Sequence, residues 1–405
     1  VFGETALAHL RSLAVQGQRS VTRGGPDVLI LPGIMGSTLG FEGVLFDDTI
    51  WVDPADLALG NLVLLAPQRK KKVKALGVLL TTYLELRLKL RLKGIDASFH
   101  PYDWRLDIRK VGDELAARIE KNHSREGVHL VCHSMGGLVA RRAVHVLKAK
   151  GKDALVKQVV MLGTPNHGAF APALVLRQCH ALTQKLAKLD LSHSFNELVE
   201  QVFSRLVGLM QLLPPIERSL EVDLLDPRAW PPGNAPHPDA AKVARHLPKD
   251  LDAGDNRYTL IAGYDRPTYI GARIDQGEFV FRQSNEGDGT VPLAHAELAA
   301  IGRTYYTRAE HGGMPNNNEV IEAVADIIRL RRTDRLPTQL PDFDRRSQEF
   351  RESALRTRSA PRSDTEIVSV QPPAPSEVRD LLAGFASPST PPTVGSTPPA
   401  DARAR

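Results

Sequence analysis

A serine, an acid and a histidine stand in this chain in an order and in settings that suit acyl transfer. Residues 127–139 read Gly127-Val128-His129-Leu130-Val131-Cys132-His133-Ser134-Met135-Gly136-Gly137-Leu138-Val139. The short apolar strand Val128 to Cys132 runs into Ser134, and a helix-compatible stretch from Leu138 to Leu147 follows at once. A sharp strand–serine–helix turn lifts the hydroxyl clear of the sheet edge, where it can attack a carbonyl carbon. Gly136 suits a point where helix and strand approach too closely for a side chain. Cys132 occupies the place where such turns usually carry a glycine. The competing reading is a strand that ends in an ordinary Ser-Met-Gly-Gly turn.

A serine hydroxyl is a weak nucleophile near neutral pH, so it needs a base, and the base needs an orienting carboxylate. Downstream, Asn285-Glu286-Gly287-Asp288-Gly289-Thr290-Val291-Pro292 presents Asp288 between glycines, and Glu310-His311-Gly312-Gly313-Met314-Pro315 presents His311 just before a closing helix. Ser134, Asp288 and His311 are therefore the expected catalytic residues. Asp265, after the strand ending near Gly263, is the rival acid. His133 abuts the nucleophile, but neighbouring side chains on a strand point to opposite faces, which makes it a poor base. His295 follows Asp288 too closely and begins a helix, whereas His167, after Gly163-Thr164-Pro165, is expected to line the substrate pocket. Acyl transfer also needs donors aimed at the developing oxyanion. The backbone N–H of Met135 is one candidate and that of Ile34, in the loop Leu31-Pro32-Gly33-Ile34-Met35-Gly36-Ser37, is the other. No Cys/His spacing suits a metal, and no phosphate loop or dinucleotide fingerprint is present, so neither metal nor cofactor is expected.

The elements around these residues alternate. Val28-Leu29-Ile30-Leu31, Ile95 to Phe99, Val128 to Cys132, Gln158 to Leu162 and Tyr258 to Ala262 read as buried strands, and Val111 to Lys121 and Gly136 to Lys148 as helices. Strands alternating with helices predict an α/β class, a mostly parallel sheet with helices on both faces. Leu76 to Lys93 is expected to be helical, because parallel strands on either side need a crossover element. A hairpin spans Ile270 to Arg282, Tyr305-Tyr306 lie in the last strand, and Glu319 to Arg331 forms the closing helix. Residues 166–254 break the alternation with helical stretches (Ala171 to Leu189, Phe195 to Leu213) and proline-rich joints. They leave from the carboxyl end of a strand, where open α/β sheets place ligands, and are expected to form a lid. The division that results is a lead-in at 1–24, a catalytic domain at 25–332 and, from 333 to 405, a Pro/Ser/Arg-rich tail too poor in apolar residues to fold.

The 405 residues carry 42% hydrophobic and 24% charged residues, an ordinary globular balance. No apolar run approaches the roughly 20 residues of a membrane span, so a cytoplasmic or peripheral membrane location is expected. The chain opens on Val1, and a missing signal peptide leaves the compartment open. Two cysteines exclude a disulfide framework, and Cys132 is expected buried rather than paired with Cys179. The net charge of +5 is local: residues 69–93 alone hold nine cations against Glu85. Only Tyr83 interleaves them, which disfavours nucleic acid. An anionic membrane surface contacted by Arg69, Lys70, Lys71, Lys72 and Lys74 is the functional reading, and a solvated face the bland one.

Taken together, Leu31 to Ser37, Trp51-Val52-Asp53-Pro54-Ala55-Asp56-Leu57, Pro101-Tyr102-Asp103-Trp104-Arg105, His133 to Gly137, Gly163-Thr164-Pro165 and Gly287 to Pro292 resemble the lecithin:cholesterol acyltransferase-like family of α/β-hydrolases, which includes phospholipase A-type and phospholipid:diacylglycerol acyltransferase-type members. The resemblance covers about residues 25–330 and implies Ser134, Asp288 and His311 as triad, with Ile34 and Met135 as oxyanion donors. It also implies an insertion at 38–75 that touches lipid, with Trp51 at the substrate, and a lid at 166–254. Trp104 and Arg105 are expected to be structural. The first insertion holds no cysteine, so the lid disulfide of some secreted relatives has no counterpart. The function expected is a lipid acyl hydrolase or acyltransferase working through an acyl-serine. The alternatives are a non-catalytic lipid-binding or scaffolding module and a soluble esterase for small esters.

Overall fold

Period-two alternation in the apolar strands builds two cores, one on each side of a sheet. The computed structural model describes residues 10–13, 25–43, 47–53, 56, 59–67, 72–123, 126–180, 190, 192–219 and 221–359. Six parallel strands, β1 (Asp27–Leu31), β5 (Asp96–Phe99), β6 (Val128–His133), β7 (Val156–Leu162), β8 (Tyr258–Gly263) and β11 (Arg303–Thr307), lie in the order β11-β8-β7-β6-β1-β5. Leu29, Leu31, Leu130 and Cys132 pack to one face with helices α2 (Ile108–Asn122) and α3 (Met135–Ala149). Val28, Ile30, Val131 and Val160 pack to the other with α1 (Leu80–Leu92) and α7 (Asn318–Leu330). Because Cys132 faces the first core, fully buried, His133 is turned to the second. Cys132 is thus a small core residue, and both cysteines are free thiols.

The crossover to β5 is shorter than its leucine spacing suggests. Lys74–Val78 forms β4, which pairs antiparallel with β2 (Ser37–Phe41) beside β3 (Asp48–Trp51), and α1 begins only at Leu80. The strand is stabilised by a partner far away in sequence, which outweighs the local helical period of residues 76–84. In α1 the Leu/charge alternation buries Leu86 and Leu90, while the charges find partners: Lys89 pairs with Glu85 and Lys93 with Glu322 of α7. Much of the positive charge at 87–93 is therefore spent inside the fold.

The helices expected at 171–189 and 195–213 are broken. They are replaced by α4 (Ala171–Leu176), α5 (Phe195–Gln201) and short turns at Phe203–Arg205 and Val207–Met210, with a further turn at Ile216–Ser219 and α6 (Pro238–Ala244) later in the insertion. Gln178 takes φ 61°, a left-handed conformation that ends the first helix. Residues 181–189 lie outside the described residues.

The segment from 333 onward also differs from expectation. β12 (Gln348–Arg351) adds to the hairpin of β9 (Thr268–Asp275) and β10 (Glu278–Ser284), and α8 (Glu352–Ser359) follows. Glu352, 2% exposed, meets Arg177, 3% exposed, at 2.7 Å. Arg177, just after α4, also donates to the carbonyls of Pro232 and Asn234. Composition argues against folding here, yet strand pairing fastens residues 348–351 to the hairpin, and the buried ion pair, with Arg356 donating to Arg177 O, fastens residues 352–356 to the insertion.

Candidate active site

Ser134 sits at the carboxyl end of β6, near the middle of the sheet, with φ 53° and ψ −126°. That backbone conformation is costly for a residue with a side chain and persists only where its surroundings hold it. Here the Ser134 N–H donates to Leu162 O at 2.9 Å, and α3 starts at the next residue. A Cβ on Gly136 would lie 2.8 Å from Leu31 O, so the close approach expected of this glycine is present.

Asp288 and His311 come from loops after β10 and β11. One oxygen of Asp288, Oδ1, accepts from the N–H groups of Thr290 (2.9 Å) and Val291 (2.7 Å), while Oδ2 faces His311 Nδ1 at 2.7 Å. His311 Nε2 lies 2.9 Å from Ser134 Oγ. A carboxylate only accepts, so His311 carries its proton on Nδ1 and its Nε2 accepts from the serine hydroxyl. Asp288 is 1% exposed, and its backbone O accepts from the His311 N–H at 2.8 Å. A Cβ on Gly163, which has φ 57°, would come within 2.8 Å of Asp288 Oδ2, so only glycine leaves room for the pair. Asp265, the rival acid, pairs with Arg308 at 3.1 Å instead.

Loop 32–37 is held by the polar ends of four aromatic side chains. Tyr102 Oη donates to Pro32 O (2.6 Å), Trp51 Nε1 to Met35 O (2.8 Å) and Trp104 Nε1 to Ser37 O (3.1 Å), and the Gly33 N–H donates to Tyr83 Oη (2.9 Å). Trp51 and Trp104 meet edge to face with centroids 5.5 Å apart. Arg105, as expected, is structural: it pairs with Asp103 at 2.6 Å and donates to Leu65 O, tying the first insertion to the sheet. The Tyr-Asp-Trp-Arg run is therefore a brace for this loop.

A cavity with about 1030 Å³ of empty space, partly open to solvent, joins these pieces. Gly33, Ile34, Tyr83, His133, Ser134 and His311 line it from the sheet edge and α1, with Pro165 after β7, and Ala169, Pro172, Val175, His180, Leu209 and Leu212 line it from the insertion. Two expected pocket residues are elsewhere. Trp51 is wholly buried behind Met35, where its indole serves the loop rather than the cavity. His167 lies outside the lining; its N–H donates to His295 O, and burial together with nearby Arg218 and Arg141 pushes its pKa down to about 4. Thr82, a lining residue with no signature in the sequence, has a buried hydroxyl with no hydrogen-bond partner among the described residues. In sequence Tyr83 is only an aromatic among cations. A tyrosine in an amphipathic helix carries no signal of its own, since its partners are 50 residues away.

Of the basic run, Lys72 and Lys74 are exposed, and Lys74 pairs with Glu42. Arg69, Lys70 and Lys71 lie outside the described residues. Among the described residues no helix is long and apolar enough to cross a membrane.

The fold is shared with a chain in a Tle4–Tli4 complex, at TM-score 0.52 and 14% identity over 76% of this chain and 99% of that one. Lipase BlEst2 of Bacillus licheniformis in mature form (TM-score 0.32, 17% identity, 72% and 86% covered) and phospholipase PlaB of Legionella pneumophila (0.35, 11%, 77% and 61%) score too low to add to that. No curated protein matches by sequence. The family model for lecithin:cholesterol acyltransferase matches residues 93–321, more than half of the chain and inclusive of Ser134, Asp288 and His311. The chain therefore belongs to the lecithin:cholesterol acyltransferase family.

Proposed function

We propose that this protein is a serine-dependent lipid acyl hydrolase or acyltransferase, with Ser134 as nucleophile, His311 as general base and acid, and Asp288 as the carboxylate that orients His311. Membership of the family supports action on lipid esters. The observation that carries the finer reading is the buried chain Asp288 Oδ2–His311–Ser134 Oγ, at 2.7 and 2.9 Å, opening on a mostly apolar cavity.

In this reading His311 Nε2 takes the hydroxyl proton as Ser134 Oγ bonds to the ester carbonyl carbon. Negative charge develops on the carbonyl oxygen, and the N–H groups of Ile34 and Met135 receive it. Met135 opens α3, where a backbone N–H has no intrahelical acceptor, and Ile34 lines the cavity on a braced loop. His311 then returns the proton to the departing alcohol, leaving an acyl-Ser134 that water or a second alcohol relieves by the same route. The insertion at 166–254 acts as lid and acyl wall. Docking on anionic lipid uses Lys72 and Lys74 together with Arg69, Lys70 and Lys71.

The test compares wild type with Ser134→Ala on p-nitrophenyl esters of graded chain length and on phospholipid vesicles, with products identified by mass spectrometry in the presence of an acceptor alcohol. Hydrolysis or transfer by wild type only is expected, with long acyl chains preferred. Equal rates for the two proteins would overturn the proposal, and a preference for acetyl esters would move it to the soluble-esterase alternative. Vesicle binding is expected to weaken as salt rises and when Lys70, Lys71 and Lys72 are neutralised; binding indifferent to both removes the lipid-surface role.

A further inference from the structure

Behind the serine a second line of buried polar groups joins two loops that the reaction would use. The Gly33 N–H donates to Tyr83 Oη at 2.9 Å, Tyr83 Oη lies 2.8 Å from His133 Nδ1, and His133 Nε2 lies 2.8 Å from the His311 carbonyl oxygen. The direction of each bond is forced. A carbonyl oxygen only accepts, so His133 Nε2 carries a proton; in neutral imidazole Nδ1 is then an acceptor, and Tyr83 O–H donates to it. The phenol oxygen keeps a lone pair for the Gly33 N–H. Burial, with the neighbouring His311 second, pushes the His133 pKa down to about 3, which keeps the ring in that neutral state.

The ends of this line matter more than its middle. Gly33 precedes Ile34 on the loop that faces the serine, and a Cβ on Gly33 would stand 2.9 Å from Ser134 Cβ. His311 O belongs to the residue whose ring reaches Ser134 Oγ. The His133 and His311 rings lie 5.0 Å apart, so the strut runs beside the Asp288–His311–Ser134 chain rather than through it. Elsewhere the His311 backbone is held through its N–H by Asp288 O. Removing His133 would leave His311 O, a buried acceptor, without this donor.

We propose that Tyr83 and His133 are positioning residues for the reaction: a strut that sets the separation between the oxyanion loop at Gly33–Ile34 and the His311 loop. The inference rests on the catalytic reading above. Neither residue exchanges a proton with substrate, and both act through the loops they hold. Errors on the order of 1 Å in such placement cost about 100-fold in rate.

The experiment uses four variants of the full chain: Tyr83→Phe, His133→Leu, the double variant, and His133→Gln, whose amide keeps one donor and one acceptor. Steady-state kinetics on a long-chain p-nitrophenyl ester are read beside circular dichroism melting and the rate at which a fluorophosphonate labels Ser134. Tyr83→Phe and His133→Leu are each expected to lower kcat by about 10- to 100-fold with KM within about threefold. The double variant should be no slower than the worse single one, because both cut the same strut. His133→Gln should recover part of the loss, and labelling of Ser134 should slow in step with kcat.

Multiplicative losses in the double variant would overturn the strut, as would full kcat in a folded Tyr83→Phe. So would a loss that only tracks a lost melting transition. Wild type that neither turns over nor labels at Ser134 overturns the catalytic reading first, and the strut falls with it. Active wild type with a dead Ser134→Ala and an unaffected Tyr83→Phe sinks the strut alone.

Discussion

The cavity has two walls of opposite construction. The sheet-edge wall, residues 33–36 with His133, Ser134 and His311, is fixed by buried side-chain hydrogen bonds, from Tyr83, Tyr102, Trp51 and Trp104 on one loop and from Asp288 and His133 on the other. The insertion wall, Ala169, Pro172, Val175, Leu209 and Leu212, is apolar apart from His180 and is fastened beyond its end, where Arg177 meets Glu352. Proton transfer and oxyanion binding demand donors and acceptors fixed to fractions of an ångström. Holding an acyl chain asks only for apolar area, which is non-directional. The difference predicts that sheet-edge substitutions change kcat, and insertion substitutions change KM or stability.

The largest effect expected is Asp288→Asn. The amide can still accept from Thr290 and Val291 N–H, so the loop survives, but its NH₂ invites the His311 tautomer protonated on Nε2, which cannot take the serine proton. By analogy with the same change in chymotrypsin-type proteases, kcat should fall about 10⁴-fold with KM little altered. A fall smaller than about tenfold, measured on the same ester, would remove Asp288 from the orienting role.

Next comes Arg177→Met, which cuts the tether of the insertion wall. Among the described residues Glu352 would keep only Arg356 and the Phe279 N–H, at 3.4 Å, as partners for a buried carboxylate. Breaking one side of a buried ion pair should cost about 3 kcal/mol in denaturant unfolding. The comparison says kcat at a temperature where the protein remains folded should stay within about twofold, because no sheet-edge contact is touched. A large kcat defect in folded protein would mean that the insertion positions the chemistry as well.

A matched pair sharpens the contrast. Trp51→Phe keeps the ring against Trp104 but loses the donor to Met35 O, and kcat should drop about tenfold with KM steady. Val175→Ala removes apolar lining, and at about 0.8 kcal/mol per methylene-sized group KM should rise up to about tenfold for long-chain esters. Swapped outcomes, with Trp51→Phe acting on KM and Val175→Ala on kcat, would dissolve the distinction between the walls.

What could be read from the residues follows the same division. Strand–serine–glycine and the two glycine-flanked loops are local patterns, and the side chains of Ser134, Asp288 and His311 meet within hydrogen-bond distance. The parallel sheet followed from apolar runs that alternate with helices. Long-range partners were not legible. Lys74–Val78 has the local leucine period of a helix yet pairs with Ser37–Gly40, and residues 348–356 read as a linker until Arg177, more than 170 positions earlier, is brought to Glu352. Trp51 belongs to a motif that suggested substrate, but its indole turns inward because a buried N–H needs an acceptor and Met35 O supplies one. Tyr83 and Thr82 carried no pattern at all; their meaning comes from the cavity that α1 happens to border.

The smallest effect tests the boundary between the walls. Thr82 is 3% exposed and borders the cavity, and its buried hydroxyl is unpaired among the described residues, unlike the four aromatic tips nearby. A buried hydroxyl without a partner costs about 1–3 kcal/mol. Thr82→Val, which has nearly the same shape, should therefore stabilise the empty protein by about 1 kcal/mol, seen as a higher melting temperature. Its kinetics then decide what the hydroxyl is for. If kcat/KM falls while stability rises, substrate supplies the missing partner, and Thr82 is a polar contact on a mostly apolar substrate surface. If kcat/KM is unchanged or improved, the hydroxyl is simply a tolerated defect, and the substrate surface owes its selectivity to shape and apolar area alone. A lowered melting temperature would mean that Thr82 already has a partner, and the contrast between a fully paired wall and an unpaired one would have to be redrawn.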